Sequence, residues 1–203
     1  TYNQADYLAL ALRSVREQTA QDYEVIVVNN HSTDHTARVL EEFEREDQRV
    51  RSITFSNNGV IGASRNMGIQ ASRGQCIAFL DSDDVWYTQK LERVAEVLHS
   101  NPDVGVVCHD EDRIQEGKIA RRLRYGPTNG RHPDLYHYLL FEKNCLSTSA
   151  TVVRKGILEE IGRFSEDPNF VTVEDYDLWL RLAPVTSVYF LHEALGQFRV
   201  HGA

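Results

Sequence analysis

The chain has 203 residues, of which 22 are Lys or Arg and 30 are Asp or Glu, so its formal net charge is −8 at pH 7. This length suits one domain with a substantial core, because two independent domains would each be small. The acidic balance, without a basic block, argues against a nucleic-acid partner. No run reaches the roughly 18 apolar residues of a membrane helix, so we expect no membrane span in this segment.

The three cysteines, Cys76, Cys108 and Cys145, are widely spaced and form no CxxC pair. An odd number of cysteines in apolar surroundings is typical of buried free thiols in a reducing compartment. We therefore expect a cytoplasmic protein, with peripheral attachment to the inner membrane face as an option.

Apolar periodicity alternates between helical and strand spacing through the first half of the chain. The predicted order is a helix near 8–15, a strand at 24–28, a helix near 34–43, a strand at 51–55, a helix near 63–71, a strand at 76–80, a helix near 91–98 and a strand at 104–108. Such alternation predicts an α/β fold with a mostly parallel central sheet flanked by helices. Since the first predicted helix lacks a preceding apolar strand, we expect that the natural domain extends beyond both ends of this chain.

The second half is less regular and predicts a smaller mixed subregion. A polar stretch at 110–124 fits a hairpin around Glu116-Gly117, and strands are expected at 150–153, 187–191 and 196–200. No linker or repeat separates the halves. We therefore predict a single domain over 1–203, divided into halves at 1–110 and 111–203.

An acidic cluster, Asp81-Ser82-Asp83-Asp84, follows directly on the apolar strand at 75–80. Unpaired carboxylates are costly to bury, and α/β proteins hold ligands at the carboxyl ends of their strands. The cluster therefore predicts a cation site, one that would carry a phosphorylated substrate. The alternative is a turn that caps a helix beginning near Thr88.

Several motifs in a fixed order span nearly the whole chain. They are Thr1-Tyr2-Asn3, Tyr7-Leu8, Gln18-Thr19, the strand 24–28, Ser32-Thr33-Asp34, the run 63–68 with Arg65, the run 79–84, and the run 174–179 with Glu174-Asp175. With these motifs the chain resembles the family 2 glycosyltransferases, which have the GT-A fold and transfer sugar from a nucleotide-diphospho-sugar. The resemblance implies a 1–110 half that binds this donor, with a UDP-sugar favoured, and a 111–203 half that binds a saccharide, lipid-linked or protein acceptor.

The resemblance assigns the acidic cluster as the family's Asp-x-Asp motif. It implies that Asp83 ligates Mn²⁺ or Mg²⁺, and that Asp81 contacts the ribose or the water shell of the metal. Hard carboxylate oxygens suit both ions. The neighbouring Ser82, with Thr1 and Tyr2, is assigned to nucleotide-sugar binding. Tyr2 would flank the base, although plain packing is equally open.

Two further residues are expected on the nucleotide side. Asn30 occupies a position that is acidic in most relatives. An Asn carbonyl still accepts a hydrogen bond from a uracil imide, but the replacement of an acid by Asn leaves the identity of the nucleotide base open. Asn29-Asn30 shaping a turn is the alternative. Arg65 is expected to contact the nucleotide or its phosphates, with a surface salt bridge as the alternative.

The Glu174-Asp175 pair begins a predicted helix on whose inner face Asp175 lies, together with Trp179. The resemblance implies that Asp175 is the general base and that Glu174 contacts the acceptor or supports Asp175. A capping box from Thr172 to Asp175 is the competing interpretation.

Two histidines complete the predicted site. The segment ending in His201 is similar to one in which some relatives place a His near the metal, so His201 is a second candidate ligand, or incidental. His109 ends a strand at the same sheet edge as the acidic cluster, where it would line the acceptor cleft or be a generic polar strand end.

The resemblance implies a metal-dependent single displacement that inverts the anomeric centre, in polysaccharide or glycoconjugate synthesis. Two alternatives stay open: a nucleotide-sugar binding module without catalysis, and a sugar-phosphate nucleotidyltransferase, whose Gly-rich phosphate loop is not visible in this sequence.

Overall fold

A computed structural model of the chain describes residues 1–200. The helices in this range are α1 (Ala5–Arg16), α2 (Thr36–Glu46), α3 (Ile61–Ala71), α4 (Lys90–Ser100), α5 (Leu135–Phe141), α6 (Lys155–Ile161) and α7 (Glu174–Leu182), with a 3-10 turn at Pro168–Phe170. The strands are β1 (Val25–Asn29), β2 (Val50–Thr54), β3 (Cys76–Ala78), β4 (Val85–Trp86), β5 (Val104–Gln115), β6 (Lys118–Leu123), β7 (Thr151–Arg154) and β8 (Ser187–Arg199). The α/β class predicted from periodicity is confirmed.

The prediction of a mostly parallel sheet is wrong. β1 and β2 pair in parallel, but the larger sheet has the order β3-β7-β5-β8-β4, with β6 on β5, and only β5 and β8 run in parallel there. β7, from the second half of the chain, inserts between β3 and β5 and is antiparallel to both. Periodicity reports how a strand is buried, whereas its direction depends on the route of the preceding connection.

The β5–β6 hairpin turns at Glu116 and Gly117, as the sequence predicts. Both have positive φ, 51° and 74°, which matches the twist of a two-residue hairpin turn. The two strands predicted at 187–191 and 196–200 form the single strand β8, which follows β5 with several register shifts.

The main hydrophobic core joins the two halves of the chain. Ile69 and Phe79 from the first half pack in one cluster with Leu139, Trp179 and Phe190 from the second. Trp179 is 1% exposed, so it is a core residue. Fully burying a side chain of this kind contributes roughly 1.5–3 kcal/mol, so this shared cluster stabilises the packing of the two halves.

A cavity of about 610 Å³ lies against β1, the residues of β3 and the inner face of α1. Its apolar part is lined by Leu8, Leu12, Val27 and Ile77, and its polar end reaches the acidic cluster at 81–84. The fold therefore provides a deep cleft at the carboxyl end of β3.

Candidate functional site

The acidic cluster forms a tight turn at the polar end of the cavity. The Asp84 amide donates to the Asp81 carbonyl at 3.1 Å, and Asp81, Ser82 and Asp83 all line the cavity. Asp84 points inward and is only 3% exposed. It accepts from the Arg199 amide at 2.9 Å, and α4 begins later, at Lys90, so Asp84 is not the cap of that helix.

Arg65 lies between two carboxylates that are distant in sequence. Its guanidinium donates to Asp81 Oδ1 at 2.8 Å and to Glu174 Oε1 at 2.6 Å. The Arg65 side chain is 15% exposed and Glu174 is 6% exposed, so the pair is largely shielded from water. The surface salt bridge considered for Arg65 is therefore replaced by a partly buried bridge, which brings the 81–84 turn next to the start of α7.

Asp175 occupies the first turn of α7, beside this bridge. Its carboxylate accepts from the Tyr176 amide at 2.6 Å and from the Thr148 hydroxyl at 3.3 Å. The capping box does not form, because α7 begins at Glu174 without a side-chain cap and Thr172 has a positive φ of 77°. Burial raises the pKa of the Asp175 carboxyl, while the Tyr176 amide opposes that rise. A half-buried carboxylate of raised pKa suits proton transfer.

The two residues predicted on the acceptor side, Glu174 and His109, are both buried. Glu174 is 5% exposed and paired with Arg65, so in this geometry it holds Arg65 rather than an acceptor. His109 has no exposed surface, and its Nδ1 lies 2.7 Å from the Asp110 carbonyl. A side chain without exposed surface does not line a cleft, so the structure argues against an acceptor contact for His109.

The predicted nucleotide residues gather at the same end of the cavity. Tyr2 is 56% exposed and lines it, as do Thr1 and Asn30. Thr1 runs beside the end of β1, where its carbonyl accepts from the Asn30 amide at 3.0 Å. The Asn30 side-chain oxygen accepts from the Asn57 amide at 3.0 Å, which leaves a second lone pair for a ligand.

Asn29 has a different role from Asn30. Its side-chain oxygen accepts from the Ser32 amide at 3.0 Å, and the residue is 6% exposed. The turn-forming alternative therefore describes Asn29, whereas Asn30 faces the cavity.

The fit of a divalent cation depends on the 81–84 turn. Asp81 is 43% exposed and, like Asp83, borders the cavity, so two hard carboxylates lie on the same space. Within residues 1–200 no group of three His, Cys, Asp or Glu side chains converges as a complete metal site, so further ligands would come from phosphate and water. His201 lies outside the described residues.

Beneath the turn lies a buried polar cluster that the sequence analysis missed. Lys90 is 0% exposed, and its Nζ donates to the Ser149 carbonyl at 2.6 Å and lies 3.6 Å from the Trp86 ring centroid. Burial lowers the pKa of Lys90, while the nearby Glu111 carboxylate opposes that shift. Little in the sequence indicates this cluster, because Lys90 begins an amphipathic helix, where a lysine side chain is ordinarily exposed.

A family profile described as "Glycosyl transferase family 2" matches residues 1–162. The chain belongs to this family. The resemblance noted from the motifs is thus confirmed.

Two curated relatives show how far the similarity extends. An uncharacterized glycosyltransferase of Nostoc sp. is 34% identical over 208 residues, covering 100% of this chain and 63% of that protein. A Bacillus subtilis glycosyltransferase named for teichuronic acid biosynthesis is 27% identical over 201 residues, covering 98% of this chain and 76% of that protein. The chain thus spans less than two thirds of the Nostoc relative.

Solved structures confirm the GT-A fold. S. aureus TarS in complex with UDP-GlcNAc matches with a TM-score of 0.81 at 22% identity, covering 100% of this chain and 57% of that one. The mannosyltransferase PcManGT from Pyrobaculum calidifontis, in complex with GDP-Man and Mn²⁺, matches with a TM-score of 0.69 at 17% identity, covering 98% and 54%. No helix within residues 1–200 has the length and apolarity to cross a membrane.

Proposed function

We propose that this glycosyltransferase domain moves a sugar from a nucleotide-diphospho-sugar to a hydroxyl acceptor, with inversion at the anomeric carbon. The observation that carries the proposal is the Arg65 bridge, which joins Asp81 on the donor side to Glu174, the residue before the candidate base. The start of α7 thereby lies beside the 81–84 turn.

The donor nucleotide would lie in the polar end of the cavity. Tyr2 offers an exposed ring for the base, Asn30 offers a carbonyl lone pair, and Arg65 offers a largely buried guanidinium for the phosphates. Solved neighbours that bind UDP-GlcNAc and GDP-Man support a nucleotide-sugar donor, and we favour a UDP-sugar.

Asp83, with Asp81, would hold Mn²⁺ or Mg²⁺ through carboxylate oxygens at this turn. A divalent cation bound there would neutralise charge on the departing diphosphate. The Mn²⁺ complex of the Pyrobaculum neighbour supports this choice of ion.

Asp175 would act as the base. Its carboxylate accepts the proton of the acceptor hydroxyl while that oxygen forms a bond to the anomeric carbon and the bond to the diphosphate oxygen breaks. A single displacement of this kind inverts the anomeric centre. Arg65 keeps a positive charge beside the base, which favours its ionised form before the proton arrives.

The acceptor would be a saccharide or a lipid-linked or protein glycoconjugate, in polysaccharide or glycoconjugate synthesis. The name of the B. subtilis relative supports polysaccharide synthesis. We propose a cytoplasmic location, with peripheral attachment to the inner membrane face as an option.

Release of free nucleotide diphosphate tests the proposal. A panel of UDP-, GDP- and dTDP-sugars is incubated with and without Mn²⁺ and with mixed acceptors, using the parent, Asp175→Asn and Asp83→Ala. We expect metal-dependent release by the parent alone.

The other outcomes identify the alternatives. Donor-induced thermal stabilisation without turnover in the parent would indicate a binding module. Pyrophosphate-linked chemistry would indicate a nucleotidyltransferase. Equal donor stabilisation with and without Mn²⁺ would overturn the metal role of Asp83.

A further inference from the structure

Two of three successive hydroxyl side chains, which we call the hydroxyl segment (residues 147–149), each make a hydrogen bond to one of the two acidic motifs. The Thr148 hydroxyl donates to Asp175 Oδ2 at 3.3 Å, and the Ser149 hydroxyl accepts from the 81–84 turn. Thr148 is 5% exposed and Ser149 is 1% exposed, so solvent does not compete for these bonds.

Ser149 anchors the first residue of the acidic turn, because its Oγ accepts from the Asp81 amide at 3.1 Å. Its carbonyl accepts from Lys90 Nζ at 2.6 Å and from Trp86 Nε1 at 3.0 Å. Three hydrogen bonds from distant residues therefore hold Ser149 in place.

Thr148 and Ser149 are consecutive, and their Cα atoms are therefore about 3.8 Å apart. One of them contacts the candidate base, and the other contacts the turn that faces the donor. The candidate base and the turn are thus linked through a single peptide unit, in addition to the Arg65 bridge.

We propose that Thr148 and Ser149 are positioning residues, which hold the Asp175 carboxylate and the 81–84 turn in register across the cleft. This inference rests on the proposed function. Misplacing a reacting group by an ångström is enough to lower the rate of a displacement, so a short rigid link between the two walls has a direct kinetic consequence.

The Thr148 contact is tested with Thr148→Val, which keeps the shape of the side chain and removes the hydroxyl. We expect kcat to fall about three- to tenfold, the worth of one hydrogen bond, with the donor KM within about twofold of the parent. The acidic limb of the pH profile should move to higher pH, because the Thr148 hydroxyl lowers the pKa of Asp175. Thr148→Ser should restore both values.

Thr128→Val is the matched control, since Thr128 is exposed and outside the cavity lining. A purely structural role would lower the melting temperature of Thr148→Val without moving its pH profile, and that result overturns the inference. A carboxyl ¹³C NMR titration measures the pKa of Asp175 and so reports the Thr148 contact without turnover. The Asp175 resonance is assigned by its loss in Asp175→Asn. An inactive parent contradicts the proposed function, whereas identical Asp175 titrations in parent and Thr148→Val contradict the inference.

The Ser149 contact is tested with Ser149→Ala and, should that protein not fold, with Ser149→Cys. Loosening the turn should weaken donor binding in the presence of Mn²⁺ about tenfold, measured by calorimetry, while Thr148→Val binds donor like the parent. Unchanged donor affinity in a folded Ser149 variant would overturn its assignment.

Discussion

Arg65 and Glu174 lie 109 residues apart in the sequence, yet their side chains form an ion pair of 2.6 Å. The same guanidinium reaches Asp81, so three charges meet at a site where the Arg65 and Glu174 side chains are largely shielded from water. Arg65 bonds to Glu174 Oε1, and the buried Oε2 atom has no hydrogen-bond partner among the described residues. Arg65 is therefore the main compensation for a buried carboxylate.

Replacing Arg65 by Gln should destabilise the fold by about 3 kcal/mol, because the change leaves the Glu174 charge buried without its cation. Urea unfolding measures the loss. Arg38→Gln is the matched control: Arg38 pairs with Glu42 on the exposed face of α2, and its loss should cost at most about 0.5 kcal/mol. Equal losses in the two variants would contradict a buried role for the Arg65 bridge.

The pH dependence of turnover should report Asp175. Burial raises the pKa of this carboxyl, so the base becomes protonated at a higher pH than an ordinary aspartate as the pH falls. The acidic limb of kcat/KM should therefore lie above the usual aspartate range. An acidic limb within the ordinary aspartate range would contradict this assignment.

Asp175→Asn should lose activity by about 10²- to 10⁴-fold without losing stability. A folded-state pKa above the unfolded value means that ionising Asp175 opposes folding, so the stabilising contribution of its neutral form is lost as the pH rises. The neutral Asn should thus melt no lower than the parent at pH 8. Asp177→Asn, which breaks the pair with Arg181, is the control and should keep activity within a few-fold. A lower melting temperature for Asp175→Asn would contradict the expected burial cost.

Asn30→Asp should tighten UDP binding several-fold. A carboxylate keeps an acceptor for the Asn57 amide and offers a second oxygen to the uracil imide, without the amide donors of Asn. Calorimetric titration with UDP and GDP gives the ratio of affinities. Asn29→Asp adds the same charge one residue away, outside the cavity lining, and should leave that ratio unchanged. A parallel change in both variants would show that net charge alone is responsible.

Thiol labelling tests the packing of β5 and the loop before β7. Burial raises the pKa of Cys108 and of Cys145 to about 12, whereas Cys76 is exposed on β3. One thiol should react with Ellman's reagent in the native protein, and all three after unfolding in guanidinium. Rapid native labelling of Cys108, detected by mass spectrometry, would contradict its burial.

The expectation that all three thiols are buried is wrong for Cys76, which lies on an edge strand of its sheet.

The first half of the fold follows from the sequence because its helices have one apolar face and its strands are short apolar runs. Leu8 and Leu12, for example, bury on α1 where their spacing places them. Strand order does not follow in this way, because the position of β7 between β3 and β5 depends on contacts with residues about 45 and 75 positions away.

Local sequence patterns and ordered motifs also selected the candidate site residues, but they did not show which of these residues contact one another. The turn at 81–84 stands out as carboxylates directly after an apolar strand, whereas the pair at 174–175 was selected through the ordered family motifs, because its spacing alone also fits a helix cap. Thr148 and Ser149 carry no such signal, since hydroxyl residues before a strand are ordinary in any protein.

The sequence by itself determined the family, the α/β class and the identity of the acidic residues that face the cleft, because these depend on local pattern and ordered motifs. Only the tertiary structure decided which charges meet. The Arg65 bridge, the burial of Glu174 and His109, and the contacts of the hydroxyl segment all join residues far apart along the chain. Their energies depend on mutual distance and exclusion of water, which exist only after the two halves have packed together.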